Sequence, residues 1–207
     1  MAAVSTLTQA LSKQTLALER EAALLARALA KQNTQLVLAE SCTGGMAAAA
    51  LTRIPGISKH FCGSSVVYQA ETKQRWLEIS SSLIRDAGSE SARMSEALAR
   101  QVLKKTRHAE VAAAITGHLG PMPSKNVSNH EGEVFLAAVV RGALARKQKS
   151  LGQPSKIIQK LSLQDLTGSP KKLSAAERQK LRTLLQLVAS QALLRMVRSL
   201  LNSKHIA

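Results

Sequence analysis

The sequence predicts an α/β domain, a three-layer α/β/α sandwich around a central sheet that is mostly parallel or mixed. Three observations carry this. Short apolar runs of strand length recur near 35–39, 63–68, 110–115, 133–140 and 156–162. Segments with helical apolar spacing lie between and around them, so that helices would cover both faces. The first run also passes through a glycine-bearing turn straight into an alanine-rich stretch, the join expected of a strand, a tight turn and a helix.

In chain order, Met1 to Gln32 reads as an amphipathic helix, with Leu7, Leu11, Leu16, Leu18, Leu24, Leu25 and Leu29 set among Ser, Thr, Lys and Arg. It has neither the continuous apolar centre nor the cleavage site of a secretory signal, and Glu19 and Glu21 interrupt what would otherwise resemble a transit peptide. Residues 1–19 are assigned to a helical extension and 20–207 to a single domain. Asn33-Thr34 ends the helix. The strand at 35–39 follows, then the turn Glu40 to Gly45, then a helix from Met46 that stops near Ile54-Pro55-Gly56. Such a turn presents Ser41 and Thr43 at the end of a sheet. It also aims the N–H groups of the helix start at the same spot, where they favour negative charge. Gly44 and Gly45 allow a ligand close to the backbone. Tyr68 is expected to end the second strand, with Lys73 about one helical turn beyond it. Ser91 to Lys105 reads as a helix with Met94, Leu98 and Val102 inward. The strand near 110–115 runs into Thr116-Gly117-His118-Leu119-Gly120-Pro121. Arg141 to Pro154 is a basic connector, and 156–162 is an edge strand whose lysines discourage further pairing. Ser174 and Glu177 form a capping box at the head of the last helix, Ala175 to about Asn202.

The chain of 207 residues is long enough for a sizeable core. With only Phe61, Tyr68, Trp76 and Phe135 as aromatics, that core must be aliphatic, and single-strand recognition by base stacking is disfavoured. The net charge of +16 favours anionic partners. Its densest patches are Arg141 to Lys160 and Lys171 to Arg182, and much of it reads as a solvated basic surface. No apolar run approaches the ~20 residues a spanning helix needs, so no membrane partner is expected. Cys42 and Cys62 make no disulfide framework, which fits a reduced, cytoplasmic setting. His118 and His130 lack the Cys or Asp neighbours of a metal site and read as loop histidines.

The segment Ala39-Glu40-Ser41-Cys42-Thr43-Gly44-Gly45 resembles the signature of the CinA carboxy-terminal domain family, the nicotinamide mononucleotide amidohydrolases. Tyr68 and Lys73 match the family's Tyr-x-x-x-x-Lys, and Thr116 to Pro121 resembles its Thr-Gly-x-x-Gly-Pro loop. Arg178 and Arg182 resemble its Arg-x-x-x-Arg, without the preceding Gly-Asp. Other positions depart. Ser64 replaces the second glycine of a pair, Gly88 to Ser91 matches a Val-Ser-Glu-Glu segment poorly, and Met122 to Glu131 differs from the family loop. The likeness is strongest from Leu36 to Lys73 and covers about Arg20 to Asn202.

This resemblance implies hydrolysis of nicotinamide mononucleotide to nicotinate mononucleotide and ammonia, with no metal and no organic cofactor. A serine hydroxyl is weak without a base, and a lysine can serve if burial or another cation lowers its pKa. The expected assignment makes Ser41 the nucleophile and Lys73 the base, with Tyr68 relaying or orienting the proton. The N–H groups around Thr43, Gly44 and Gly45 would steady the oxyanion, and Thr116, Gly117 and Arg178 would hold the nucleotide. A homo-oligomer is expected. The alternative is a family member that has lost catalysis through the altered loop and whose basic surface binds nucleic acid, which is the less favoured partner, or a protein.

Overall fold

A computed structural model describes residues 2–119, 132–142, 146, 149, 156–162 and 173–202. Helix α1 spans Ala2–Gln32, β1 Leu36–Glu40, α2 Met46–Thr52, β2 Phe61–Val66, α3 Ala70–Leu77, α4 Ser81–Ala87, α5 Ala92–Lys105, β3 Val111–Gly117, β4 Glu133–Val140, β5 Lys156–Ser162 and α6 Ala175–Asn202. A short 3-10 turn at Ile57–Lys59 leads into β2. Gly120 to Glu131, which include His130 and the whole loop that departs from the family, and most of the basic connector lie outside the described residues.

The sheet has the order β2-β1-β3-β4-β5. β1 pairs in parallel with β2 and β3, while β4 runs antiparallel to β3 and β5, so the sheet is mixed. The last two strands match the sequence reading, and the boundaries of the first three shift by one or two residues. The largest consequence is that β2 ends at Val66, which leaves Tyr68 in the connection to α3 rather than on the strand.

Side chains alternate between two cores, as strand geometry requires. Leu36, Leu38, Val111, Ala113 and Ile115 pack with α1, α2 and α6 on one face. Val37, Ala39, Ala112, Ala114 and Ala137 pack with α5 on the other. The second face is nearly all alanine, which lets α5 lie close enough for the Ser95 hydroxyl to reach the Phe135 carbonyl at 2.6 Å. Helix α1 is continuous from Ala2 to Gln32, so no break in it marks a boundary at residue 19. It ends with Asn33 in the left-handed conformation, where Thr34 N–H donates to Leu29 O and Asn33 N–H to Ala30 O, a Schellman closure. The capping box at Ser174 forms in both directions.

Helix α6 passes the length and apolarity test for a membrane span, which the sequence reading did not anticipate. Yet 61% of its apolar window is buried within the fold, the behaviour of a core helix. It lies along α1, where the nearly enclosed Glu21 accepts from Arg198 at 2.5 and 3.3 Å.

Candidate active site

The crossovers leaving β1 and β2 pass to opposite faces of the sheet, and β1 lies between β2 and β3. In open α/β sheets such a reversal leaves a crevice outside the carboxyl ends of the strands. Ser41, one residue beyond β1, and Thr116, at the end of β3, face each other there, with Ser41 N–H donating to Ile115 O at 3.1 Å. Both are buried. The Ser41 hydroxyl makes no hydrogen bond among the described residues.

The turn is organised by Glu40, a fully buried carboxylate at the end of β1. It accepts four hydrogen bonds: Thr43 Oγ1 at 2.8 Å, Ala47 N at 3.1 Å, Ala48 N at 3.0 Å and Ser64 Oγ at 3.0 Å. The helix start is therefore already occupied by an anion from the chain itself, which corrects the expectation that the N–H groups opening α2 await a ligand. Thr43 gives its hydroxyl proton to Glu40, and Gly44 N–H donates to Ser41 O. The N–H groups of Cys42, Thr43 and Gly45 make no hydrogen bond to another residue among the described residues, so three donors are left at this turn. Gly44 and Gly45 both hold positive φ, and a Cβ on Gly45 would meet Val66 at 3.3 Å. Ser64, the departure from the family's glycine pair, is one of the groups holding Glu40.

Lys73 lies in α3 with 0% of its side chain exposed. Its amine donates to the Ser89 carbonyl at 2.9 Å and stands 3.7 Å from Glu90. Burial pushes its pKa below the ordinary lysine value, against the pull of Glu90. Lys73 reaches the crevice through the Ser89 carbonyl, which Thr116 at the end of β3 also holds. Cys42 is itself pushed up to about 12 by burial, so at neutral pH it is a thiol and a poor nucleophile.

The remaining expected residues fall into two groups. Tyr68 is mostly exposed, and its phenol oxygen accepts from Arg182 at 2.9 Å. Arg182 also donates to the Leu119 carbonyl at 3.2 Å, so it joins the Tyr68 connection to the loop after β3. Gln186, one helical turn on, donates to the Cys42 carbonyl at 3.1 Å. Arg178 instead donates to Leu173 O at the head of α6 and is exposed. Of the arginine pair, the structure brings Arg182 to the site.

Thr116 donates its hydroxyl to Ser89 O at 3.0 Å, which makes that carbonyl a shared acceptor for Thr116 and Lys73. A Cβ on Gly117 would lie 2.4 Å from Glu133 O, so glycine is required there by the approach of β4. The Gly117 position is thus explained by packing rather than by a ligand. His118 lies 3.4 Å from Glu90 and so borders the site, more than the loop residue it first seemed. Glu40, Ser89, Glu90 and Gln186 were not expected. A carboxylate closing an otherwise apolar strand was a readable sign for Glu40, and helical spacing from Arg182 for Gln186; Ser89 and Glu90 carried none.

The fold and this crevice define a doubly wound α/β domain whose polar groups meet at the carboxyl ends of its parallel strands. A family model described as the CinA C-terminal domain matches residues 18–167, and the chain belongs to that family. CinA-like proteins of Desulfotalea psychrophila and Syntrophotalea carbinolica are 36% and 38% identical over 115 and 121 residues, 56% and 57% of this chain. The chain spans only 27% and 28% of the length of those curated relatives. Among solved structures, the competence/damage inducible protein CihA of Agrobacterium tumefaciens superposes with a TM-score of 0.71 at 24% identity, covering 89% of this chain and 95% of that one. A CinA superfamily protein of Klebsiella pneumoniae gives 0.65 at 22%, covering 87% and 97%. These two likenesses speak to the fold.

Proposed function

We propose that this domain hydrolyses the carboxamide of nicotinamide mononucleotide, giving nicotinate mononucleotide and ammonia, as a cytoplasmic serine amidohydrolase. The observation that carries the reading is the enclosed Lys73 amine, its pKa lowered by burial, held on the Ser89 carbonyl that Thr116 of the crevice also holds. Neutral Lys73 takes the Ser41 proton as Ser41 Oγ bonds to the carboxamide carbon. The oxyanion is met by N–H groups of this turn left unpaired among the described residues, those of Thr43 and Gly45 among them, a contribution of ~3 kcal/mol per donor in comparable sites. The C–N bond then breaks, and the lysine proton leaves with ammonia. Water hydrolyses the resulting ester with Lys73 again as base, which restores Ser41. Tyr68 and Arg182 form a polar rim suited to the ribose phosphate, since arginine pairs strongly with phosphate oxygens.

The test is ammonia release from nicotinamide mononucleotide, set beside a panel of other amides and a DNA-binding titration over a range of salt. Release from the mononucleotide above the panel supports the reading. Release only from another amide moves the substrate and keeps the chemistry. No release from any amide, with DNA binding that weakens steeply with salt, replaces the enzyme by a binding module.

A further inference from the structure

The loop between α4 and α5 carries a group that the proposed chemistry leaves unused. Glu90 precedes Ser91, whose hydroxyl caps α5 by accepting from Met94 N–H. One Glu90 oxygen lies 3.7 Å from Lys73 Nζ and the other 3.4 Å from His118 Nε2. The carboxylate therefore spans an amine on α3 and an imidazole just beyond β3. The preceding residue repeats the arrangement, because the Ser89 carbonyl accepts from both Lys73 and Thr116. Two consecutive residues thus tie the amine to the end of β3 by two routes.

We propose that Glu90 is a positioning residue for Lys73: with the Ser89 carbonyl it aims the amine, and through His118 it couples that aim to the loop after β3. The proposal rests on the reading of Lys73 as the base. Glu90 from the α4–α5 loop faces Lys73, Cys42 in the turn after β1 is the other titratable group acting on it, and Glu40 and Arg182 act on Cys42 in turn. Glu90 holds a proton on an amine that burial drives towards neutrality. Without the Glu90 charge, Lys73 loses that proton at lower pH. An activity that needs neutral Lys73 then gains its acid limb at lower pH as well.

The experiment follows the Lys73 side chain directly by NMR titration of lysine signals in the full chain, assigned by the signal lost in Lys73→Met. The Lys73 midpoint is expected to move to lower pH in Glu90→Gln, and less far in Glu90→Asp, which keeps the charge on a shorter arm. The acid limb of kcat/KM for ammonia release is expected to move in the same direction. An unchanged midpoint in both variants, with both shown to be folded by circular dichroism, overturns the proposal; should Glu90→Gln fail to fold, Glu90→Asp decides alone. A midpoint that moves while the wild type releases no ammonia upholds the role of Glu90 and removes the amidohydrolase reading. Ammonia release with an unmoved midpoint does the reverse.

Discussion

The turn after β1 and the loop before α5 flank the same crevice, and each contributes a carboxylate to it. Glu40, in the turn, is fully enclosed and directs its four bonds at its own turn and the strand beside it. Glu90, in the loop, stays partly exposed and directs both oxygens at side chains from other elements. The difference separates architecture from chemistry. A carboxylate that satisfies orphan N–H groups of a helix start builds the turn on which Ser41 sits. A carboxylate facing an amine and an imidazole adjusts charge and direction at the site.

Substitution at Glu40 should expose that contrast most strongly. Glu40→Ala strands the buried Thr43 hydroxyl and Ala47 N–H and the half-buried Ala48 N–H and Ser64 hydroxyl, and a loss of about 3–5 kcal/mol is expected in urea denaturation. The third wall of the crevice gives the next largest effect. Gly117→Ala forces a Cβ onto the Glu133 backbone, and a cost of about 1–3 kcal/mol or more is expected, with no gain from added ligand. Lys73→Met should act in the other direction. Replacing a buried amine with an apolar chain of similar volume is expected to leave stability at pH 7 equal or higher by up to about 2 kcal/mol, while ammonia release is lost. The pH dependence has a definite sign. The folded pKa of Lys73 lies below the ordinary 10.5, so between those two values the unfolded chain binds more protons than the folded one. Wild-type stability therefore rises relative to Lys73→Met as pH rises through that window, and paired denaturation curves would show the gap narrowing. Glu90→Gln should change stability least, within about 1 kcal/mol, because the carboxylate is partly solvated. A Glu90 loss as large as that of Glu40 would erase the distinction.

Much of this was legible in the sequence because it is local. The strand, turn and helix around Ser41 follow from an apolar run, two glycines and an alanine-rich stretch. The capping box at Ser174 and the end of α1 at Asn33 follow equally from neighbouring residues. The mixed sheet and the reach of α6 depend on packing between distant segments, and so Arg182 and Gln186 could not be told from Arg178 by spacing alone. Gly117 looked like a binding residue because a glycine after a strand end often is one; only the approach of β4 reveals its packing role. Glu90 sits in a segment that matches the family poorly. Its importance comes from Lys73 and His118, which are remote in sequence and adjacent in the fold.

On the proposed mechanism Ser41 and Lys73 act as one unit. Ammonia release from nicotinamide mononucleotide by wild type, Ser41→Ala, Lys73→Met and the double variant, all confirmed as folded, tests it most directly. The account expects each single variant to fall to the same residual rate and the double to fall no further, the non-additivity of groups that share one step. Turnover by Ser41→Ala at the wild-type rate, or losses that simply multiply in the double variant, would contradict it.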